Sequence, residues 1–175
     1  MPESVLQLVI GGKEIGNELT KLNELNGVAF TGSTIAAKSI NLNLAKSEGP
    51  IKSLIAETGG QNAMFVDSSS LKEQVIDDVI RSAFYSSGQR CSALRVVFVQ
   101  EDIAQEYWEY LNEAMQEIKV GDPQIPSTDI GPIINKTSIS KLQDHAAKLK
   151  KQGKEFIETK GEFDKQSFFM NPIAF

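Results

Sequence analysis

Short β-like runs alternate with helix-length stretches over the first third of the chain, and that alternation restricts it to an α/β architecture of the doubly wound kind. Residues 5–10 are apolar and are followed by Gly11 and Gly12. A helical stretch then passes through Ile15, Leu19 and Leu22, whose spacing puts them on one face. Residues 28–30 read as a buried strand, and residues 31–33 as a turn that opens a second helix toward Leu44. The next strand, residues 53–57, is broken by Gly59 and Gly60.

Beyond Gln61 the pattern changes to longer amphipathic helices separated by strands, which predicts a second structural unit. Ser70 and Glu73 have the form of a capping box. Behind them Leu71, Val75, Val79 and Ala83 predict one face of a helix that ends at Gly88. Residues 94–99 are rich in β-branched side chains and read as a strand. Asp102 starts a helix striped by Ile103, Tyr107, Leu111, Ala114 and Ile118, with Trp108 beside the stripe as a packing residue. Gly121, Asp122 and Pro123 make a turn. Ile139, Leu142, Ala146 and Leu149 mark a last helix stopped by Gly153, after which strand and loop are expected, without pairing partners inside the chain.

Composition narrows the function classes. The 175 residues are 41% hydrophobic with a net charge of -5, as in a globular protein. The densest basic cluster is Lys148, Lys150 and Lys151, which argues against a nucleic-acid surface. No apolar run approaches the roughly 18 residues of a membrane span, and the first ten residues lack the form of a signal peptide, so a cytoplasmic location is expected. A single cysteine excludes an intramolecular disulfide and a cysteine-rich zinc site, and the single His145 does not build a histidine metal site. If Cys91 matters, it matters as a thiol.

Three motifs carry chemistry. In Phe30-Thr31-Gly32-Ser33-Thr34, a strand gives way to a helix whose free N–H groups and dipole suit a phosphate, to which Ser33 adds a hydroxyl; equally, Ser33 or Thr34 simply caps the helix. Gly11, Gly12 and Gly16 lack the spacing of a dinucleotide fingerprint. In Glu57-Thr58-Gly59-Gly60-Gln61-Asn62, a carboxylate ends an apolar strand, where partial desolvation would fit it for general-base work; the plain reading is a solvated glutamate. In Gly88-Gln89-Arg90-Cys91-Ser92-Ala93, the thiol sits on a glycine turn next to a cation, which favours the thiolate. Single cysteines are more often inert core residues, but these polar neighbours argue against a core position.

In that order, and with Glu57 and Cys91 34 residues apart, these motifs resemble the central part of the aldehyde dehydrogenase superfamily. Val120-Gly121-Asp122-Pro123 and Asp129-Ile130-Gly131-Pro132 resemble later landmarks of it. The forms of the second and third motifs, the latter running on to Leu94 and Arg95, look most like the pyrroline-5-carboxylate dehydrogenase half of bacterial bifunctional proline-utilisation proteins. The resemblance implies an α/β fold comprising the second half of a Rossmann-like NAD-binding domain (residues 1–58) and part of the α/β catalytic domain (residues 59–175).

By the same resemblance Cys91 attacks an aldehyde, the Cys91 backbone N–H holds the oxyanion, hydride passes to NAD, and Glu57 activates the water that hydrolyses the thioester. Phe30, Gly32, Ser33, Thr58 and Gly59 border the cofactor, with Ser33 at the pyrophosphate and Thr58 and Gly59 at the nicotinamide. Ser92 contacts the α-carboxylate of glutamate semialdehyde, and Arg90 supports the loop or its charge rather than contacting the substrate. Ala37 stands where many members have glycine, a difference that bears on helix packing. The resemblance also implies a homo-oligomeric parent, a small-molecule aldehyde substrate, and FAD only in a proline-oxidising part outside this segment. The family's upstream asparagine and lysine and its downstream Glu-x-Phe-Gly-Pro segment are expected outside this chain, and the segment by itself is expected to be inactive. Other readings remain open at this point: an aldehyde dehydrogenase for another substrate, a non-catalytic nucleotide- or partner-binding module, and a redox-sensing thiol.

Overall fold

The structure is a computed structural model that describes residues 2, 4–161, 163 and 168–175. It is α/β, and it divides into two compact units, Met1–Gly59 and Gly60–Phe175.

The first unit is a strand–helix–strand with one helix before it. Strand β1 (Gly27–Gly32) runs parallel to β2 (Ser53–Thr58), and α2 (Thr34–Lys46) connects them. Parallel neighbours need such a crossover, because a tight hairpin only joins antiparallel strands. The preceding helix, α1 (Lys13–Leu19), is joined to α2 through polar groups. Asn43 donates to Thr20 at 2.9 Å and to Asn17 at 3.3 Å, and Ser39 hydrogen-bonds Asn17 at 3.4 Å. This corrects the face expected from Ile15, Leu19 and Leu22, which are 42%, 42% and 48% exposed, while Thr20 is buried. Residues 5–10 form no strand: with no strand beside them they stay exposed, Leu6, Leu8 and Ile10 above 80%. Ala37 is buried in α2, as a packing residue should be.

The second unit begins with another strand–helix–strand. Strand β3 (Asn62–Val66) is parallel to β4 (Leu94–Val99), with α3 (Lys72–Phe84) between them. Helix α3 buries Val79 with Ile76 and packs Val75 on the core as expected, but Leu71 is 75% exposed and precedes the helix. Nor does Ser70 cap it. The Ser70 hydroxyl is taken by the Asp67 carbonyl at 2.6 Å and by Tyr107 Oη at 2.7 Å, so the expected capping box does not form. Val66, Ile76 and Tyr107 make the centre of the core, with Met64, Val75, Ile80, Val97, Ile103 and Leu111 packed on it. Tyr107 belongs to α4 (Glu101–Gln116), which also buries Met115 completely; Ile118 falls beyond the helix end. On the uncovered side of β3 and β4, Phe65 and Phe98 stack with centroids 4.9 Å apart. Trp108 donates to Glu155 at 3.1 Å, across from α4.

Helix α5 (Lys136–Lys151) is capped by Asn135, whose side chain accepts from Ser138 N at 2.8 Å. Gly153, at φ +72°, stops the chain after it as expected. The tail does find a partner within the chain, contrary to expectation: β5 (Ile157–Glu158) pairs antiparallel with β6 (Ile173–Ala174). The rest of that expectation, at residues 162 and 164–167, lies outside the described residues.

Candidate active site

In the first unit the parallel register sets two of the motifs side by side. Phe30, Thr31 and Gly32 face Ala56, Glu57 and Thr58 across β1 and β2, all at the carboxyl ends of their strands, which is where open parallel sheets bind ligands. A Cβ on Gly32 would lie 2.5 Å from the tip of the Phe30 ring, so a larger residue there would make that ring swing aside. Ser33 is the N-cap of α2, its Oγ accepting from Ala36 N at 3.2 Å. The cap uses a lone pair and leaves the hydroxyl proton free, so capping and outward donation are compatible. The N–H groups of Thr34 and Ile35 have no partner within the helix, and its first turn carries no acidic residue. Glu57 is exposed, and its side chain has no hydrogen bond or ion pair among the described residues. The described residues therefore do not form the desolvated mouth expected around it. Thr58 is half-buried, and Gly59 opens onto free space.

The second unit holds the thiol. Helix α3 ends at Phe84, earlier than expected, and Tyr85–Gly88 follow as a short helical turn of the other hand at Ser86 and Ser87 (φ 57° and 56°). Left-handed backbone costs an ordinary residue about 1–3 kcal/mol and is found where a site needs it. Gly88 completes the run at φ +63°, and a Cβ there would come within 2.8 Å of the Ala83 carbonyl. The chain then makes a tight turn from Arg90 to Ala93, closed by Ala93 N donating to Arg90 O at 3.2 Å, with Cys91 and Ser92 at its tip. Cys91 is a free, exposed thiol, as its polar neighbours predict. Its backbone N–H donates to nothing among the described residues.

Side chains tie this loop down at several points. The Asn62 amide donates to Cys91 O at 2.8 Å and to Ala93 O at 2.9 Å. Gln89 accepts from Ile134 N at 2.8 Å and donates to Pro132 O at 3.2 Å, and Ser87 donates to Gly131 O at 2.8 Å, so the Gly131-Pro132 landmark braces the loop. Arg95 reaches back to Gly88 O at 2.7 Å. Arg90 and Ser92 are exposed and have no side-chain partner among the described residues, so the arginine that supports the loop is Arg95. In the sequence, Asn62 and Arg95 stand only as letters of motifs. The signal that would have found them is the parallel pairing of the strands on which they stand.

No group of three or more His, Cys, Asp or Glu residues suited to a metal is present among the described residues, and no helix there is long and apolar enough to cross a membrane.

Comparison with known proteins identifies the family. The model of the aldehyde dehydrogenase family matches residues 1–175. The bifunctional protein PutA of Salmonella typhimurium is 43% identical over 93% of this chain and 13% of its own length. The 1-pyrroline-5-carboxylate dehydrogenase of Geobacillus sp. is 32% identical over 100% of this chain and 35% of its own. A crystal structure of a proline utilization A variant from Bradyrhizobium japonicum superposes with a TM-score of 0.91 at 46% identity, over 99% of this chain and 18% of that one. The chain thus spans 13% of the first relative and 35% of the second, and within that span it belongs to the aldehyde dehydrogenase family.

Proposed function

We propose that this chain is part of an NAD-dependent dehydrogenase that oxidises glutamate semialdehyde to glutamate through a cysteine thioester. Met1–Gly59 is read as part of the cofactor domain and Gly60–Phe175 as part of the catalytic domain. The observation that carries the proposal is the Cys91 turn: an exposed thiol with a free N–H beside it, on a loop held by side chains from several elements, in a chain of this family.

The residues of the first unit fit a dinucleotide phosphate. The unpaired N–H groups of Thr34 and Ile35, the free proton of Ser33 and the absence of acid in the first turn of α2 all favour an anion there. Thr58 and Gly59 would border the nicotinamide, and Phe30 and Gly32 the phosphates. When bound, NAD supplies the hydride acceptor.

Cys91 thiolate attacks the aldehyde carbon, forming a C–S bond and an oxyanion that the Cys91 N–H stabilises. Re-formation of the carbonyl expels the hydride and leaves the acyl group on Cys91 as a thioester. Glu57 takes a proton from water, and the hydroxide so generated displaces the Cys91 thiolate, giving the acid. Ser92, exposed at the turn tip without a side-chain partner among the described residues, would donate to the α-carboxylate of the substrate.

The names of the relatives support the substrate, one being a 1-pyrroline-5-carboxylate dehydrogenase and another a proline utilization A protein. The decisive assay follows NADH formation by the full-length parent with glutamate semialdehyde and NAD. Cys91→Ala should reduce turnover at least about a thousandfold. Turnover that survives the substitution overturns the nucleophile. A parent that prefers another aldehyde keeps the mechanism and overturns the substrate. The 175-residue chain alone is expected to form no NADH.

A further inference from the structure

We propose that Asn62 is a positioning residue for the nucleophile: its side-chain amide holds the carbonyl of the thiol-bearing residue, Cys91, together with that of Ala93 two positions on. The inference rests on the reading of Cys91 as the attacking group. One nitrogen, Asn62 Nδ2, lies 2.8 Å from the carbonyl oxygen of Cys91 and 2.9 Å from that of Ala93. Neither oxygen carries a proton, so only the NH2 end of the amide fits between them. Holding both carbonyls fixes the peptide planes that follow Cys91 and Ala93, while the bond from Ala93 N to Arg90 O closes the turn from the other side.

Strand register explains why Asn62 is available. Asn62 pairs with Leu94, but the next pair is Ala63 with Val96, so Arg95 is an extra residue in β4. Bulges of this kind re-aim side chains and recur beside active sites. Here the junction serves the loop at its start, through Arg95 on Gly88 O, and at its tip and end, through Asn62. Cys91 and its carbonyl bond are exposed, so water would satisfy that oxygen in the amide's absence. What the amide adds there is a fixed position. An attacking sulfur is sensitive to that: misplacement by about 1 Å costs roughly a hundredfold in rate.

The test uses the full-length parent with Asn62→Asp, Asn62→Ala and Asn62→Gln, and with Cys91→Ala as control. Asp matches the shape of asparagine but has no donor. We expect Asp and Ala to lower kcat about ten- to a hundredfold, with aldehyde KM and NAD Kd within about threefold of the parent. Gln, which keeps the donor on a longer arm, should recover part of the kcat. A kcat within about twofold of the parent for both Asp and Ala overturns the proposal. So does a loss that merely tracks lower Tm and weaker NAD binding without recovery by Gln, or insolubility of all three variants, since the amide would then be supporting the fold. Should Cys91→Ala stay active, the underlying nucleophile reading fails whatever Asn62 does.

Discussion

Around Cys91, the side chains of Asn62, Ser87, Gln89 and Arg95 are all committed to backbone groups of the loop or of the segment beside it. Around Glu57 nothing comparable exists among the described residues, and the carboxylate projects from the end of β2 without a partner. The same contrast runs through the cores. Gly60–Phe175 buries Val66, Ile76, Val79, Tyr107 and Met115 among others, whereas Met1–Gly59 buries only Thr20, Ala37 and Leu44 among its described residues. The difference fits the two roles proposed for Cys91 and Glu57. A nucleophile must meet a carbon within a fraction of an ångström, while a base that works through a water tolerates a longer and looser reach.

The contrast breaks most sharply at Glu57. In the parent, Glu57→Gln should slow steady-state turnover by roughly a hundred- to ten-thousandfold while leaving a rapid first burst of NADH, because only hydrolysis needs the base. Loss of the burst as well would mean that Glu57 also serves the attack, and that the two groups are not divided as proposed. Next in size is Met115→Ala, which empties a site that is 0% exposed and should destabilise the Gly60–Phe175 unit by about 2–5 kcal/mol. Urea unfolding followed by fluorescence of Trp108, the chain's single tryptophan, reads this change directly. A shift well below that range would show the second core to be as loose as the first.

Smaller effects sharpen the picture of the first unit. Ser33→Ala removes the cap of α2 and should cost about 1 kcal/mol of stability, read by circular dichroism. Ser33→Asp keeps a capping acceptor but adds negative charge, so it should spare the helix and weaken NAD binding in the parent, measured by calorimetry. Unchanged NAD affinity would remove Ser33 from the phosphate site and leave it a cap. Least of all is expected at Lys72, whose ammonium is held above its ordinary value of 10.5 first by its hydrogen bond to Glu106 and then by Tyr110, over whose ring it lies. A raised lysine contributes its stability below the ordinary value and loses it as pH climbs toward the folded one. The Trp108 unfolding midpoint should therefore be level from about pH 6 to about pH 9 as far as this group goes, with a decline in strongly alkaline solution that Lys72→Met abolishes. An identical decline in the variant would assign it to other groups.

Much of the frame was legible in the sequence because it is local. Residues 94–99 read as a strand from their β-branched side chains, and β4 has those bounds. Gly153 stops α5 as a left-handed glycine should. The polar setting of Cys91 foretold its exposure. What failed depended on neighbours far away in sequence. Ser70 and Glu73 fit a capping pattern, but Tyr107 claims the Ser70 hydroxyl across 37 positions. Residues 5–10 have strand-like composition and no strand beside them. Asn62 was a letter in a motif until the bulged register of β3 and β4 brought it to the Cys91 carbonyl.

The braces of the Cys91 loop also set a timetable. Asn62 comes from 29 positions before Cys91, and the Ile134 N–H that Gln89 receives comes from 45 positions after Gln89. Contacts across such separations need long loops to close first, and therefore form late relative to helices and turns. On a ribosome the thiol emerges well before the segment around Ile134 that completes its support. During that interval Cys91 is chemically present but geometrically unset, so the proposed nucleophile would gain its full support only after the segment around Ile134 has docked.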